Sequence, residues 1–271
     1  MASDPPVSLE RRYQLNMPHM AMGGLSETWL FKEMGDFHWA LITKGLNTKS
    51  SDLADANGVR LYATFTRIQF RSTVPLSHYV EDDELTLTGS ISRFGASFFF
   101  SDLLFTAGER TITARLMSTF TKRLNEGSNV GLLKGQPIIP DACAIPARDE
   151  QPPFAGDFRQ HRNAGERSHL FTTDYDLQSV HDVNGVNLLY FAAYPAISDL
   201  CEQRRHDRPM QWALGQSTIA RDVFYLANCE LDDRIAYKLH EADGGTSANT
   251  LTRASDGTLM AYVMTERVEA A

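Results

Sequence analysis

Residues 23–42 read GGLSETWLFKEMGDFHWALI, and this stretch decides the fold. Its apolar side chains recur at the spacing of a helix that is buried on most sides, with Ser26 near the helix start and a glycine pair before it. Segments rich in Thr, Phe, Ile and Leu follow, separated by Pro, Asp or Gly, at 60–72, 84–93, 96–106 and 110–122. This composition predicts successive antiparallel strands after the helix.

The same order recurs in the second half of the chain. The segment GVNLLYFAAYPAISDL predicts an apolar helix over 185–200. Strand-like runs follow it at 216–227, 231–240, 247–253 and 258–267. Short matches keep their order in the two halves: Gly24 before Trp29-Leu30 parallels Gly185 before Tyr190-Phe191, Asp82-Asp83 parallels Asp232-Asp233, and Thr111-Ile112-Thr113-Ala114 parallels Thr258-Leu259-Met260-Ala261. The shared order indicates a duplication.

A long helix that is apolar on most sides must be enclosed, and a curved antiparallel sheet that follows it in sequence can enclose it. This is the hotdog arrangement. We therefore predict an α+β double hotdog, with a first half at 1–133 and a second half at 169–271. Residues 134–168 carry five prolines and scattered charges, which is typical of a linker. The alternative is two unrelated α+β domains.

Composition excludes several classes of protein. The 271 residues are 42% hydrophobic and 22% charged, as in ordinary globular proteins, and the formal net charge of −8 argues against a dedicated nucleic-acid binder. No apolar run approaches the length of a membrane span, and residues 1–6 show no secretory signal, so we expect a cytoplasmic protein with no membrane partner. The cysteines are odd in number and lack a CxxC spacing, so we expect neither a disulfide framework nor a zinc site from Cys143, Cys201 and Cys229.

Motifs narrow the chemistry further. The chain contains no GxSxG, GxGxxG, P-loop lysine motif or HExxH, so we expect no nucleotide redox cofactor and no metal. His19 and Gly23 fit HxxxG, a pattern of hotdog dehydratases in which the histidine acts as base, and a carboxylate partner would be Asp182 or Asp199. The plainer interpretation is a structural histidine, since so short a motif is common by chance.

Two further features have a functional and a structural interpretation. Gly23 and Gly24 could let an acyl oxygen approach the free N–H groups of a helix start, or they could form a simple turn. Alternation along the first strand puts Tyr62 on a polar face with Arg60, Thr64 and Thr66. A phenol is a poor nucleophile at neutral pH unless a cation, helix terminus or base stabilises its anion, and most strand tyrosines are packing residues.

Basic clusters in this acidic chain could meet the phosphates of coenzyme A or an acidic carrier protein, or could be solvated patches. They comprise Arg204, Arg205, His206 and Arg208 after the second helix, and Arg159, His161, Arg162 and Arg167 in the linker.

Three segments carry a resemblance to a known family. They are NMPHMAMGGLSETWLFKEMG (16–35), GVRLYATFTRIQF (58–70) and STIARDVFYLANCELDD (217–233). Through them the whole chain resembles the bifunctional acyltransferase/decarboxylases of polyketide biosynthesis, the family of the leinamycin-pathway enzyme. The resemblance implies a double hotdog that takes methylmalonyl from coenzyme A, decarboxylates it, and delivers propionyl to the phosphopantetheine thiol of an acyl carrier protein. It also implies that Tyr62 carries the acyl group as an aryl ester.

The resulting hypothesis is an enzyme that needs no cofactor beyond the coenzyme A thioester and the carrier-protein phosphopantetheine. Its predicted site residues are catalytic Tyr62 and His19, and substrate-binding Gly23, Gly24, Thr64, Ser217 and Thr218. In this hypothesis His19 and the glycine pair stabilise the enolate. Alternatives are a dehydratase or thioesterase that pairs His19 with a carboxylate, and a non-catalytic module that binds acyl-thioesters or carrier proteins. The oligomeric state is expected to be a monomer or a homodimer.

Overall fold

The computed structural model describes residues 7–123, 128–156 and 168–270. Up to residue 135 the elements are β1 (Ser8–Gln14), β2 (Met20–Ala21), β3 (Gly24–Leu25), α1 (Glu27–Gly45), β4 (Tyr62–Ser72), β5 (Glu84–Phe94), β6 (Phe98–Ala107), β7 (Arg110–Arg123) and β8 (Leu132–Gly135). After residue 168 they are β9 (Phe171–Asp176), α2 (Ser179–Asp182), α3 (Ala193–Glu202), α4 (Pro209–Leu214), β10 (Gln216–Tyr225), β11 (Arg234–Asp243), β12 (Thr246–Arg253) and β13 (Leu259–Glu269).

One antiparallel sheet runs through both halves. Its strand order is β1-β5-β6-β7-β4-β10-β13-β12-β11-β9, and β8 adds to β7. The halves meet where β4 pairs with β10, in a register from Ala220 opposite Arg71 to Phe224 opposite Arg67. Helix α1 packs on β5, β6 and β7, and α3 packs on β11, β12 and β13. A helix enclosed by a curved antiparallel sheet therefore occurs twice, which confirms the predicted α+β double hotdog.

Helix α1 runs antiparallel to β4. Ser26 caps its start by accepting a hydrogen bond from the Trp29 backbone N–H at 3.2 Å, as the sequence predicts. Near this start the ring of Phe31 lies 5.9 Å from that of Phe70, late in β4. Further along α1, His38 lies 5.2 Å from Phe65, early in β4. The first turn of α1 therefore lies at the far end of β4 from Tyr62.

The second helix begins later than its apolar pattern predicts. Residues 185–192 form a loop, and α3 begins at Ala193. The Asn184 side chain accepts hydrogen bonds from the backbone N–H groups of Val186 and Leu188, at 3.0 and 3.1 Å. An asparagine side chain that satisfies nearby backbone groups competes with the helix, so the turn prevails here.

Both strands at the junction carry a bulge at a corresponding place. The register of β4 against β7 shifts between Phe65 and Arg67, and that of β10 against β13 shifts between Thr218 and Ala220. Two residues before the bulged position stand Thr64 in β4 and Ser217 in β10. Tyr62 lies four residues before the bulge of β4, and Gly215 lies four residues before the bulge of β10. Gly215 therefore occupies the position in the second half that corresponds to Tyr62 in the first. The matched bulges agree with the predicted duplication.

The proposed boundaries at 133 and 168 stay a prediction. Lys134 and Gly135, assigned to the linker, pair with β7 as part of β8. Further along, the Arg93 backbone N–H donates to the carbonyl of Pro146 at 2.9 Å, so this segment adheres to β5. The basic linker residues Arg159, His161, Arg162 and Arg167 lie outside the described residues.

Three further observations concern the described residues: their helices, their metal-binding side chains and their cysteines. No helix among them is long and apolar enough to cross a membrane. They hold no cluster of three His, Cys, Asp or Glu side chains arranged to bind a metal ion. The three cysteines are free, and burial raises the thiol pKa of Cys201 to about 11 and that of Cys229 to about 12.

Candidate functional site

Tyr62 begins β4 and belongs to a row of three side chains across the sheet. It lies opposite Thr121 of β7, and Thr121 lies opposite Lys134 of β8. Ala63 and Phe65 pack into the core on the side of α1. Because successive side chains alternate, Tyr62 and Thr64 point to the opposite face of the sheet, as the sequence predicts. Tyr62 is half-buried there.

Three threonines lie beside this tyrosine on the paired strands β4 and β7. Thr64 Oγ1 and Thr121 Oγ1 form a hydrogen bond of 2.7 Å, and Thr119 lies directly opposite Thr64. Thr119 is only 6% exposed, and its hydroxyl has no hydrogen-bond partner within the part of the chain that the structure describes. We call the patch formed by Tyr62, Thr64, Thr119 and Thr121 the hydroxyl face. Sequence reasoning found its two β4 residues and missed the two on β7.

One cation lies against the tyrosine ring. The guanidinium of Arg60 is 5.2 Å from the Tyr62 ring centroid, within the range of a cation–π contact. Arg60 is exposed and makes no ion pair to any described residue. Its positive charge is therefore available to groups that approach Tyr62.

The loop that leads into β4 is held by Asp55. This carboxylate accepts hydrogen bonds from the backbone N–H groups of Asn57 and Val59, at 2.9 and 3.0 Å, and pairs with Lys122 Nζ at 2.6 Å. The hydrogen bond from Lys122 holds the pKa of Asp55 below its usual range. Because Lys122 lies on β7, the pair ties the loop to the strand beside Tyr62.

His19 lies elsewhere, in an aromatic cluster. Its ring stacks edge-on against Trp29 at 4.9 Å and Tyr13 at 6.2 Å, and its Nδ1 accepts a hydrogen bond from the Asn16 backbone N–H at 3.1 Å. None of its hydrogen bonds within the described ranges involves a carboxylate. This arrangement matches the structural interpretation of the HxxxG motif.

The two candidate carboxylate partners of His19 are occupied by other groups. Asp199 is bound by Arg221 at 2.8 Å and Arg267 at 2.6 Å; burial opposes its ionisation, but the two guanidinium charges hold its pKa below the usual range. Asp182 accepts hydrogen bonds from the Gln178 backbone N–H at 2.7 Å and the Tyr175 hydroxyl at 3.1 Å. The histidine–carboxylate pair of the dehydratase alternative is not assembled among these residues.

Gly23 and Gly24 belong to a short β-hairpin rather than to the first turn of α1. Strands β2 and β3 pair around it, with φ of +95° at Gly23 and +120° at Gly24. A Cβ at Gly24 would lie 2.4 Å from the Leu76 carbonyl oxygen and from Ser77 Cα, so only glycine permits this close approach. The pair lies before α1, with Ser26 between them as the cap, and its conformation matches the turn that was the structural interpretation of these glycines.

The predicted site residues fall into two groups at opposite ends of β4. Gly24 packs against Ser77, beyond the end of β4, and Ser217 Oγ accepts a hydrogen bond from the Ser77 backbone N–H at 3.0 Å. An eleven-residue strand separates this group from Tyr62, which is roughly 30 Å of extended chain. This corrects the expectation of one site: Tyr62 and Thr64 lie at one end, while His19, Gly23, Gly24, Ser217 and Thr218 belong to the other.

Solved structures show the same fold. A protein described as an oleoyl thioesterase from Lactobacillus plantarum superposes with a TM-score of 0.71 at 10% identity, over 99% of this chain and 98% of the other. The 12:0-ACP thioesterase from Umbellularia californica gives 0.69 at 12% identity, over 97% and 98%. An acyl-ACP thioesterase from Bacteroides thetaiotaomicron gives 0.63 at 12% identity, over 96% and 98%.

These likenesses extend over nearly the whole chain, so they support the double hotdog across both halves. No protein-family model matches the chain, and no curated protein sequence matches it. At 10–12% identity the similarity concerns the backbone, and no site residue is transferred by it.

A groove of about 620 Å³ crosses the sheet near the β4–β10 pair. Arg71 and Glu266, which both line it, form an ion pair at 2.5 Å, and Asp222 of the lining pairs with Arg67 at 2.6 Å. Tyr62 does not line this groove. The hydroxyl face, where a half-buried phenol lies beside a buried hydroxyl that has no partner among the described residues, is the better candidate for chemistry.

Proposed function

We propose that this chain is an acyltransferase and decarboxylase that takes methylmalonyl from coenzyme A and delivers propionyl to the phosphopantetheine of an acyl carrier protein, with Tyr62 as the nucleophile. The observation that carries the proposal is the place of Tyr62. It lies half-buried among hydroxyls and beside an unpaired guanidinium, while the corresponding position of the other half is Gly215. The resemblance of the segments 16–35, 58–70 and 217–233 to polyketide acyltransferase/decarboxylases supports the same role.

In the first step the Tyr62 oxygen attacks the thioester carbonyl carbon. A C–O bond forms, the C–S bond breaks, and the phenol proton leaves with the coenzyme A thiol. Negative charge develops on the reacting oxygens, and the guanidinium of Arg60 attracts that charge. The product is an acyl group held on Tyr62 as an aryl ester.

Loss of carbon dioxide uses the carbonyl of the acyl group as the electron sink. The C–C bond to the carboxylate breaks, its electron pair forms the C=C bond of an enolate, and a proton from water then adds to the α carbon. The carrier-protein thiol finally attacks the propionyl carbonyl, the C–O bond to tyrosine breaks, and the phenol regains its proton. Phenolate is a better leaving group than an alkoxide, so the aryl ester is an activated donor.

The names of the structural neighbours support the substrate class. They are thioesterases, two of them named for acyl carrier protein thioesters, and a double hotdog that handles the same bond fits an acyl-thioester substrate here. The thioesterase or dehydratase alternative pairs His19 with Asp182 or Asp199, and that pairing has no support among the described residues, because both carboxylates are bound by other groups.

Intact-protein mass spectrometry tests the proposal. The protein is incubated with methylmalonyl-CoA without carrier protein, released carbon dioxide is assayed, and wild type is compared with Tyr62→Phe and with Tyr190→Phe. Tyr190 is another half-buried tyrosine, which lies over Lys32. We expect a propionyl adduct and carbon dioxide from wild type and Tyr190→Phe, and no adduct on Tyr62→Phe.

Transfer of propionyl by a well-folded Tyr62→Phe protein would contradict the nucleophile assignment. Hydrolysis of the thioester without carbon dioxide release would instead indicate a thioesterase, and binding without turnover would indicate a binding module.

A further inference from the structure

We infer that Thr119, together with the Thr64–Thr121 pair, donates hydrogen bonds to the enolate oxygen that forms when the acyl group at Tyr62 loses carbon dioxide. This inference rests on the proposed function and assigns the part of the site that stabilises the transition state. The predicted enolate stabilisers, His19 and the glycine pair, lie at the other end of β4.

The pairing register of β4 with β7 places the threonine hydroxyls on the same sheet face as Tyr62. Thr119 lies opposite Thr64, and Thr121 lies opposite Tyr62, so the four side chains form one patch of an antiparallel pair. Directly opposite side chains in such a pair have Cβ atoms about 5 Å apart, and diagonal neighbours are within reach of long side chains. An acyl group on the Tyr62 oxygen can therefore bring its carbonyl over the three threonines.

The hydroxyl protons of the three threonines are not all used in hydrogen bonds within the described residues, so some can be donated to that carbonyl oxygen. Thr64 and Thr121 share one O–H in their 2.7 Å contact, and within the described residues the only other acceptor of Thr64 is the Tyr62 carbonyl oxygen, at the long distance of 3.5 Å. Thr119 is 6% exposed, and its hydroxyl has no partner among the described residues. A buried hydroxyl without a partner destabilises the folded chain, so its position beside the proposed nucleophile points to an acceptor that the substrate supplies.

Neutral hydroxyls suit a decarboxylation better than cations do. A cation would bind the carboxylate of methylmalonyl in the ground state, and binding of the ground state does not accelerate the reaction. Hydroxyl donors aimed at the carbonyl oxygen instead become stronger as negative charge moves onto it. The three donors are neutral, whereas Arg60 lies against the Tyr62 ring and Lys134 lies beyond Thr121 on β8, so these two cations flank the threonines.

The threonines keep their protons throughout. The C–C bond to the carboxylate breaks, carbon dioxide leaves, and the electron pair passes through the new C=C bond onto the carbonyl oxygen, where the hydroxyls donate to it. Water then gives a proton to the α carbon and leaves as hydroxide, and the carbonyl re-forms. The threonines act by stabilising charge, and their loss should slow decarboxylation more than the attack on the thioester.

The test follows the mass of the adduct on Tyr62 and the rate of carbon dioxide release in wild type, Thr119→Val, Thr119→Ser and Thr121→Val. Valine keeps the shape of threonine and removes the hydroxyl, whereas serine keeps the hydroxyl. We expect Thr119→Val to release carbon dioxide at least about tenfold more slowly and to accumulate an adduct with the mass of methylmalonyl, because removal of one such donor typically costs that much or more. Thr121→Val should change in the same direction, and Thr119→Ser should stay near wild type.

Thr113→Val, at an exposed position of the same strand, is the matched control and should behave as wild type. Thermal unfolding of each variant separates a loss of hydroxyl from a loss of fold. Wild-type carbon dioxide release by Thr119→Val overturns the inference alone, as does an equal defect in Thr119→Ser. Absence of any adduct on wild-type Tyr62 overturns the proposed function and the inference with it, so the two failures are distinguishable.

Discussion

Arg221 of β10 and Glu27 of the first turn of α1 form a two-bond ion pair, with Nε–Oε1 at 2.6 Å and Nη2–Oε2 at 2.8 Å. The arginine side chain is fully buried, and it also binds both carboxylate oxygens of Asp199 on α3. One side chain therefore ties the central helices of the two halves together through the strand where the halves meet. Burial opposes the charged form of Arg221, yet the two carboxylates keep its pKa above the ordinary value.

Replacement of Arg221 should lower the free energy of unfolding by several kcal/mol. In Arg221→Met two carboxylates lose a buried partner, and breaking such a network typically lowers the free energy of unfolding by about 3–5 kcal/mol. Urea denaturation checks this. The matched control is Arg234→Met, because its partner is the exposed Asp176 and a pair of that kind contributes about 1 kcal/mol or less. An equal, small loss in the two variants would contradict a structural role for the buried pair.

Gly24 and Gly23 should respond differently to alanine. Gly24→Ala adds a Cβ 2.4 Å from backbone atoms of Leu76 and Ser77 and also strains φ, so we expect unfolding to become easier by about 3 kcal/mol or more. At Gly23 no atom of the described residues lies within 4 Å of the added Cβ, and only the backbone strain of about 1 kcal/mol remains. Thermal or urea unfolding measures both. Unchanged stability with lost activity in Gly24→Ala would instead favour an acyl-oxygen site at this glycine.

His19→Gln separates the two interpretations of the HxxxG motif. Its contacts are with Asn16, Tyr13 and Trp29, at the end of β4 opposite to Tyr62, so the rate of propionyl transfer to carrier protein should change little. A general base contributes about a hundredfold or more to rate. A loss of that size in a folded His19→Gln protein would restore the histidine as a catalytic group, with Tyr62→Phe serving as the inactive reference.

Much of the fold could be predicted because hydrophobic periodicity and capping are local properties of the sequence. The apolar spacing of α1 and the position of Ser26 identified the first helix, and alternation placed Tyr62 and Thr64 away from the core. The predicted strand segments overlap β4 to β7 in the first half and β10 to β13 in the second. Edge strands β1 and β9 were missed, since their alternate residues are exposed and polar and give a weak pattern.

The site was less predictable because it depends on pairing between distant segments. Thr119 and Thr121 come beside Tyr62 only through the register of β4 against β7, and one residue of slippage would turn the threonines to the other face. The glycine pair shows the converse error. Its position before an apolar helix favoured a ligand site, whereas its conformation is required by contact with Ser77, far along the chain.

His38 gives the fold a dependence on pH. It is fully buried on α1, with Nδ1 2.7 Å from Ser101 Oγ and Nε2 2.7 Å from Ser118 Oγ. The hydroxyls can donate to one ring nitrogen and accept from the other, which suits the neutral ring. Burial disfavours the cation and lowers the pKa of His38 to about 3.

The sign of the effect follows from where the proton binds. In the unfolded chain a histidine titrates near its ordinary pKa of about 6.5, so on acidification the unfolded state binds the proton first. The contribution of His38 is therefore complete above about pH 6.5 and declines as the pH falls toward 3, by up to about 1.4 kcal/mol per pH unit. Urea unfolding at pH 7, 6 and 5 should show a steeper acid loss for wild type than for His38→Gln, whose side chain does not titrate. His78→Gln, at an exposed histidine, should keep the wild-type slope; if His38→Gln keeps it as well, the acid sensitivity belongs to other groups.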